Sequence, residues 1–233
     1  MCRSRDGSGV SAPKCTRRSH FGDINLEILL HRLSPERLST YLDATHGDID
    51  RAIRLYEWNA EVSAALFEVI GHVEVVLRNA IHEQMTAWCR ANGHDENWFL
   101  NGHGFLDDRA VRDVERAMLR LEGDQSRLLP SDFVPNLPFG FWRFLLTTRY
   151  STTLWIFAIK DSFLSTADMS STFARVGRLH RLRNQIAHHW PIFSRRLDLA
   201  VLDAYLVARA IDPAIETWIR SRSRVEHLLE IRP

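Results

Sequence analysis

The residues best equipped for chemistry lie in one short run, Arg181-Leu182-Arg183-Asn184-Gln185-Ile186-Ala187-His188-His189-Trp190-Pro191-Ile192-Phe193. Leu179, Leu182, Ile186 and Ala187 give this run the apolar side of a helix. Pro191 disfavours helical geometry at Trp190, which predicts that the helix stops at His188 or His189. Asn184 and His188 stand four apart and share one helix face, and the long side chain of Arg183 can reach the same place.

Imidazoles in a last helical turn face the negative end of the helix dipole, which favours their protonated form. A His that titrates near neutrality can take or give a proton. A guanidinium beside it can neutralise charge building on a pentavalent phosphate. Asn184 can orient the imidazole or hold a phosphate oxygen. Together these are parts for cleaving RNA without a metal, by attack of a 2′-hydroxyl, leaving a 2′,3′-cyclic phosphate and a 5′-hydroxyl. His188 fits the four-residue spacing and is preferred as the proton-transfer group, with His189 as the alternative. A structural reading stands beside this one: His and Arg at a helix end can simply cap its last carbonyls and pair with carboxylates.

A second set lies earlier. Glu74, Arg78 and His82 are spaced by four on one helix face, with Asn79 next to Arg78. They can be phosphate-binding or supporting groups of the same pocket, or an ordinary helical ion pair with an exposed His, worth a few tenths of a kcal/mol. His82-Glu83 opens like a zinc-protease motif, but Thr86 stands where its second His must be. His94 and His103 follow Asn-Gly pairs in one polar loop. No phosphate-cradling GxxxxGK[ST], GxSxG or GxGxxG is present, which disfavours nucleotide hydrolysis and redox chemistry. No cofactor is expected.

The elements that must position these residues read as helices. Residues 1 to about 22 lack an apolar period and are expected to be a disordered extension. Asp23 is placed to cap a first helix, and Ser34-Pro35 begins a second that Gly47 ends. A long helical region from Asp48 to about Asn92 has an inward face traced through Ile53, Tyr56, Ala60, Ala64, Phe67, Ile70, Leu77, Ile81 and Met85. So long a helix is unusual, which predicts a break near Asn59. Further helices are expected over about 107–122, 139–160 (interrupted near Ser151), 168–189 and 195–222, with Pro213 a kink or restart. Pro130, Pro135 and Pro138 exclude a regular helix between Asp124 and Pro138. No alternating run argues for a sheet, so residues 23–233 are expected to form a single all-α domain.

Composition fits that picture: 45% of residues are hydrophobic and 25% charged, with a formal net charge of +1. The basic residues are 28 Arg and 2 Lys, Lys14 and Lys160. Arginine suits bidentate phosphate contacts, although genome composition alone can produce such a bias. Cys2, Cys15 and Cys89 have no CxxC spacing, so neither a disulfide framework nor a metal site is expected. With no secretory pattern and no apolar run near the ~20 residues a membrane span needs, the expected location is the cytoplasm.

Arg183-Asn184-x-x-x-His188 resembles the R-N-x-x-x-H signature of HEPN domains, and RNQIAHHWPIF looks like the C-terminal signature of the Abi-like (abortive infection) family. Two more segments are similar to the same family: Leu55-Tyr56-x-Trp58-Asn59 followed by Glu74-x-x-x-Arg78-Asn79-Ala80-Ile81, and Leu137-Pro138-Phe139-Gly140-Phe141-Trp142 followed by Tyr150 and Leu154-Trp155. They span roughly residues 34 to 200 in the family's order. Trp190 departs from it, standing where the family often has an acid.

The resemblance implies a HEPN-like helical bundle with an N-terminal helical extension, dimerising through its motif-bearing helices so that two imidazoles meet. It implies an endoribonuclease with an RNA substrate, acting in phage defence or as the toxin of a toxin–antitoxin pair, with an RNA or protein antitoxin as partner. The competing expectations are an RNA-binding module that does not cleave, and a structural dimer partner of another defence protein.

Overall fold

The structure is a computed structural model that describes residues 26–100, 104–121, 130–165 and 167–233. The expected disordered extension, the Asp23 cap, Cys2, Cys15 and His103 lie outside the described residues. Every described element is a helix or a 3-10 turn, and no strand occurs among the described residues, so the all-α expectation is met. The chain divides into two compact units, Met1–Arg54 and Leu55–Pro233.

In the first unit, α1 (Leu26–Leu33) packs on α2 (Pro35–Ala44). Ser34 accepts the N–H of Arg37 on its hydroxyl and Pro35 opens α2, the cap-then-proline order expected. Leu38 and Tyr41 are buried. Asp48 Oδ1 accepts the Arg51 N–H and starts α3 (Ile49–Ala91).

The second unit carries every candidate residue named above. Within it α3 continues without a break; the whole helix is 43 residues, about 65 Å at ~1.5 Å per residue. The break expected near Asn59 is absent, because Asn59 is buried and its amide is satisfied from outside the helix. The inward face holds Ile53, Ile70, Leu77, Ile81 and Met85 as expected and departs from the expectation between them. It runs through Val62, Leu66, Val69, Val73, Leu77, Ile81, Met85 and Cys89, while Ala60, Ala64 and Phe67 face outward. The helix ends at a left-handed glycine, Gly93 (φ 71), with His94 N–H donating to Cys89 O and Gly93 N–H to Arg90 O.

The rest of the unit is built from α4 (Asp108–Met118), α5 (Pro130–Phe133), α6 (Phe139–Leu145), α7 (Leu154–Phe157), α8 (Met169–Ala187), α9 (Leu197–Ile211), α10 (Pro213–Arg222) and α11 (Val225–Glu230). Asp107, Asp168 and Asp212 cap α4, α8 and α10 through their carboxylates, so Pro213 restarts rather than kinks the closing segment. α4 stops at Met118, short of the expected end. The helix expected over 139–160 is cut into short pieces. Thr147, Ser151 and Thr153 turn their hydroxyls onto the carbonyls of Phe144, Thr148 and Tyr150, offering the backbone an alternative to helix.

α8 packs against α9 and α6, α9 against α10 and α11, and α4 against α6. Trp98, Phe141 and Trp142 stack edge and face in the core, with Phe139 buried nearby, so the 137–142 segment serves packing. α3 is tied to the chain's far end by Trp58 Nε1, which donates to Leu228 O at 2.6 Å. No helix among the described residues is long and apolar enough to cross a membrane.

Candidate active site

Asp168 Oδ2 accepts the Ser171 N–H and launches α8, which buries Val176, Leu179, Leu182 and Ile186. Those four fix its rotation and leave His180, Asn184 and His188 along another stripe at four-residue spacing. The helix ends where the sequence places its end: Ala187 is the last helical residue and His188 the cap. His189 N–H donates to Ile186 O and Trp190 N–H to Gln185 O, both at 2.9 Å, a Schellman closure with His189 in the left-handed position (φ 56). That position usually belongs to glycine. His188, His189 and Trp190 are all exposed, the last at 59%.

Beyond the closure the chain is held from below. Asn59 Oδ1 accepts the N–H of Ile192 at 2.8 Å and of Phe193 at 3.0 Å, and both of those side chains are buried. The two N–H groups leave the helix end in a direction that α3 sets.

Arg183 reaches across to α3. Its Nε lies 3.7 Å from Glu74 Oε2, and its guanidinium carbon stands 5.5 Å from the centre of the Phe67 ring. At that range the Nε is buried without a hydrogen-bond acceptor among the described residues. Burial pushes the Glu74 carboxyl above its ordinary value, against the opposing pull of Arg183 and Arg78. Glu74, Arg78 and Arg183 are thus brought together. Asn79 is engaged by Arg78, whose Nε donates to its Oδ1 at 3.3 Å.

His82 is placed otherwise. Trp98 Nε1 donates to its Nδ1 at 3.2 Å, and burial holds the imidazole below its ordinary value. It is a half-buried, neutral hydrogen-bond acceptor two turns of α3 beyond Glu74. His94 stacks on Trp88 in an aromatic group with Phe105.

Sequence reasoning missed His180. Its Nε2 lies 3.4 Å from Asn184 Nδ2, its ring meets Phe139 edge-on, and a Cβ at Gly140 would stand 3.3 Å from its Nε2. Burial, then the guanidiniums of Arg143, Arg183, Arg181 and Arg109, hold it below its ordinary value. The available signal was the continuation of the four-residue spacing one turn back from Asn184.

On the other flank of α8 a cavity of about 620 Å³ opens toward α9 between Leu179, Leu182, Gln185, Leu197 and Ala200. There Arg178 is locked to Asp203 by two hydrogen bonds of 2.6 and 2.7 Å. Among the described residues no three His, Cys, Asp or Glu side chains are grouped as metal ligands are. Compared with family models, curated proteins and solved structures, the chain matches none of them.

Proposed function

We propose that this protein is a metal-independent endoribonuclease of the HEPN type, working as a homodimer in the cytoplasm as a phage-defence effector or toxin restrained by an RNA or protein antitoxin. The observation that carries this reading is Arg183: its Nε has no acceptor of its own among the described residues, and it lies on the helix that ends in the exposed pair His188-His189. The similarity of three chain segments to the Abi-like family supports the same reading.

In the reaction one imidazole, that of His188, takes the proton of a ribose 2′-hydroxyl. The 2′-oxygen bonds to the adjacent phosphorus, Arg183 neutralises the equatorial oxygens, and the bond to the 5′-oxygen breaks. A second imidazole protonates that leaving oxygen, giving a 2′,3′-cyclic phosphate and a 5′-hydroxyl. The second proton donor is His189 or the partner protomer's copy of His188. Asn184, four residues before His188, steadies the stripe on which the imidazole sits.

The test is incubation of purified protein with RNA in EDTA, with end-group analysis of the products. Cleavage is expected from the wild type and a fall of about 10²–10⁴ from His188→Ala or Arg183→Ala. No cleavage by the wild type, or equal cleavage by His188→Ala, overturns the reading.

A further inference from the structure

About half of the arginines described in the second unit are matched by an acid. Arg178 and Arg175 face Asp203, Arg149 faces Asp107, Arg209 and Arg220 share Glu216, and Arg183 faces Glu74. Of those without one, three stand together. Arg109 of α4, Arg143 of α6 and Arg181 of α8 converge beside His180, and no carboxylate pairs with any of them among the described residues. The Arg109 guanidinium carbon lies 4.4 Å over the Phe144 ring and that of Arg143 5.4 Å from the centre of the Phe173 ring. Aromatic faces thus hold the guanidinium planes where acids normally would.

Gly177 lies beneath two of them, where a Cβ would make only ordinary van der Waals contact. A Cβ on Gly177 would stand 3.5 Å from Arg143 Nε and 3.9 Å from Arg181 Nη1. Arg143 Nε is buried with no hydrogen-bond acceptor among the described residues, a cost that a fold carries for a ligand more readily than for nothing. Three unneutralised guanidiniums repel one another, and what lowers that repulsion is an anion with several oxygens, the geometry that guanidiniums bind in bidentate fashion.

Position says which anion. Arg181 lies seven residues before His188 on the same helix, about 10 Å along the axis at ~1.5 Å per residue. A nucleic-acid strand rising ~3.4 Å per nucleotide covers that distance in about three nucleotides. Resting on the ribonuclease reading above, we infer that Arg109, Arg143 and Arg181 form a second phosphate subsite, which grips an RNA backbone phosphate about three nucleotides from the bond cleaved at His188. The subsite reads backbone charge and no base, and it sets the register in which the strand meets the helix end.

Arg109 and Arg181 are exposed and can be changed without disturbing the core. The test compares the wild type with Arg109→Gln/Arg181→Gln, using circular dichroism to confirm folding. Binding is measured on a 2′-O-methyl oligonucleotide that cannot be cleaved, and cleavage on the matching RNA. The expected result is about tenfold weaker binding of the oligonucleotide by the double variant. Its log–log salt slope should be shallower by about 0.7, the loss of one single-strand phosphate contact. A substrate trimmed to the two nucleotides flanking the scissile bond should be cut equally by both proteins. If the wild type cleaves RNA but the double variant binds with unchanged affinity and slope, the subsite is overturned and the ribonuclease reading stands. If binding depends on the two arginines but no RNA is cut, the ribonuclease reading is overturned and phosphate binding stands. Absence of binding by the wild type overturns both.

Discussion

Asn59, near the middle of the first half of the 43-residue helix, holds the backbone N–H of Ile192 at 2.8 Å, 133 residues away in the chain. The same oxygen takes the N–H of Phe193. A side chain only 6% exposed therefore satisfies the backbone donors of the segment that leaves the His188-His189 helix end.

Asn59→Ala should strand both N–H groups. Each such buried donor costs roughly 1–3 kcal/mol, so an overall loss of about 2 kcal/mol or more is expected in urea unfolding. RNA cleavage should fall as well, since the helix end loses its anchor. Unchanged stability would mean that water serves the two donors as well as the amide does.

The left-handed histidines offer a paired comparison. His189 at the end of α8 and His46 at the end of α2 have φ of 56 and 55, and both sit in the Schellman position that Gly93 takes at the end of α3. Glycine carries no Cβ penalty there, while an L-residue is disfavoured by roughly 1–2 kcal/mol, partly offset by glycine's looser unfolded chain. His46→Gly and His189→Gly should each stabilise the fold by about 0.5–1 kcal/mol in thermal or urea melts. Only His189→Gly should reduce RNA cleavage. Equal activity of the two variants would remove His189 from the chemistry and leave His188 alone in each protomer.

Glu74 should leave a pH signature. Burial raises its carboxyl above the ordinary 4.5. A raised acid contributes most to stability below its unfolded pKa and loses that contribution as pH rises through its folded value. Glu74→Gln should therefore gain on the wild type as the pH climbs from about 4 to neutrality, read as the difference between their urea midpoints. Parallel pH profiles would show that Arg183 and Arg78 fully offset the burial. Because the introduced amide oxygen keeps a negative dipole end facing Arg183, cleavage should survive better in Glu74→Gln than in Glu74→Ala.

For His82 the sign is opposite. Its imidazole is lowered from 6.5 by burial and accepts from Trp98. Stability is full above the ordinary 6.5 and is lost as pH falls through the lowered folded value, when protonation removes the acceptor. His82→Gln, which keeps an amide oxygen for Trp98, should flatten the acid limb of the stability profile and leave RNA cleavage at neutral pH unchanged. A large activity loss in a well-folded His82→Gln would bring His82 into the reaction.

Local chemistry made much of this fold legible in the sequence. The caps at Ser34, Asp107, Asp168 and Asp212 and the stop before Pro191 act within a few residues of themselves, and pattern reading reached the Ser34 cap and the stop. What escaped was decided at long range. Asn59 reads as a helix breaker because its partners lie 133 and 134 residues on. Phe67 reads as core because it is large and apolar, yet it lies outward beneath the Arg183 guanidinium. The Arg109, Arg143 and Arg181 group is invisible along the chain, since α4, α6 and α8 each supply a single arginine and only packing collects them. His180 was within reach, one turn before Asn184.

The tie between Trp58 and Leu228 spans 170 residues. During synthesis every residue from Glu74 to His189 is made before that bond can close, so α3 waits for α11 to complete its packing. Contacts this distant in sequence form late because the loop between them must first be closed. A nascent chain thus carries all its motif residues in an unfinished frame until the segment around Leu228 emerges to lock it.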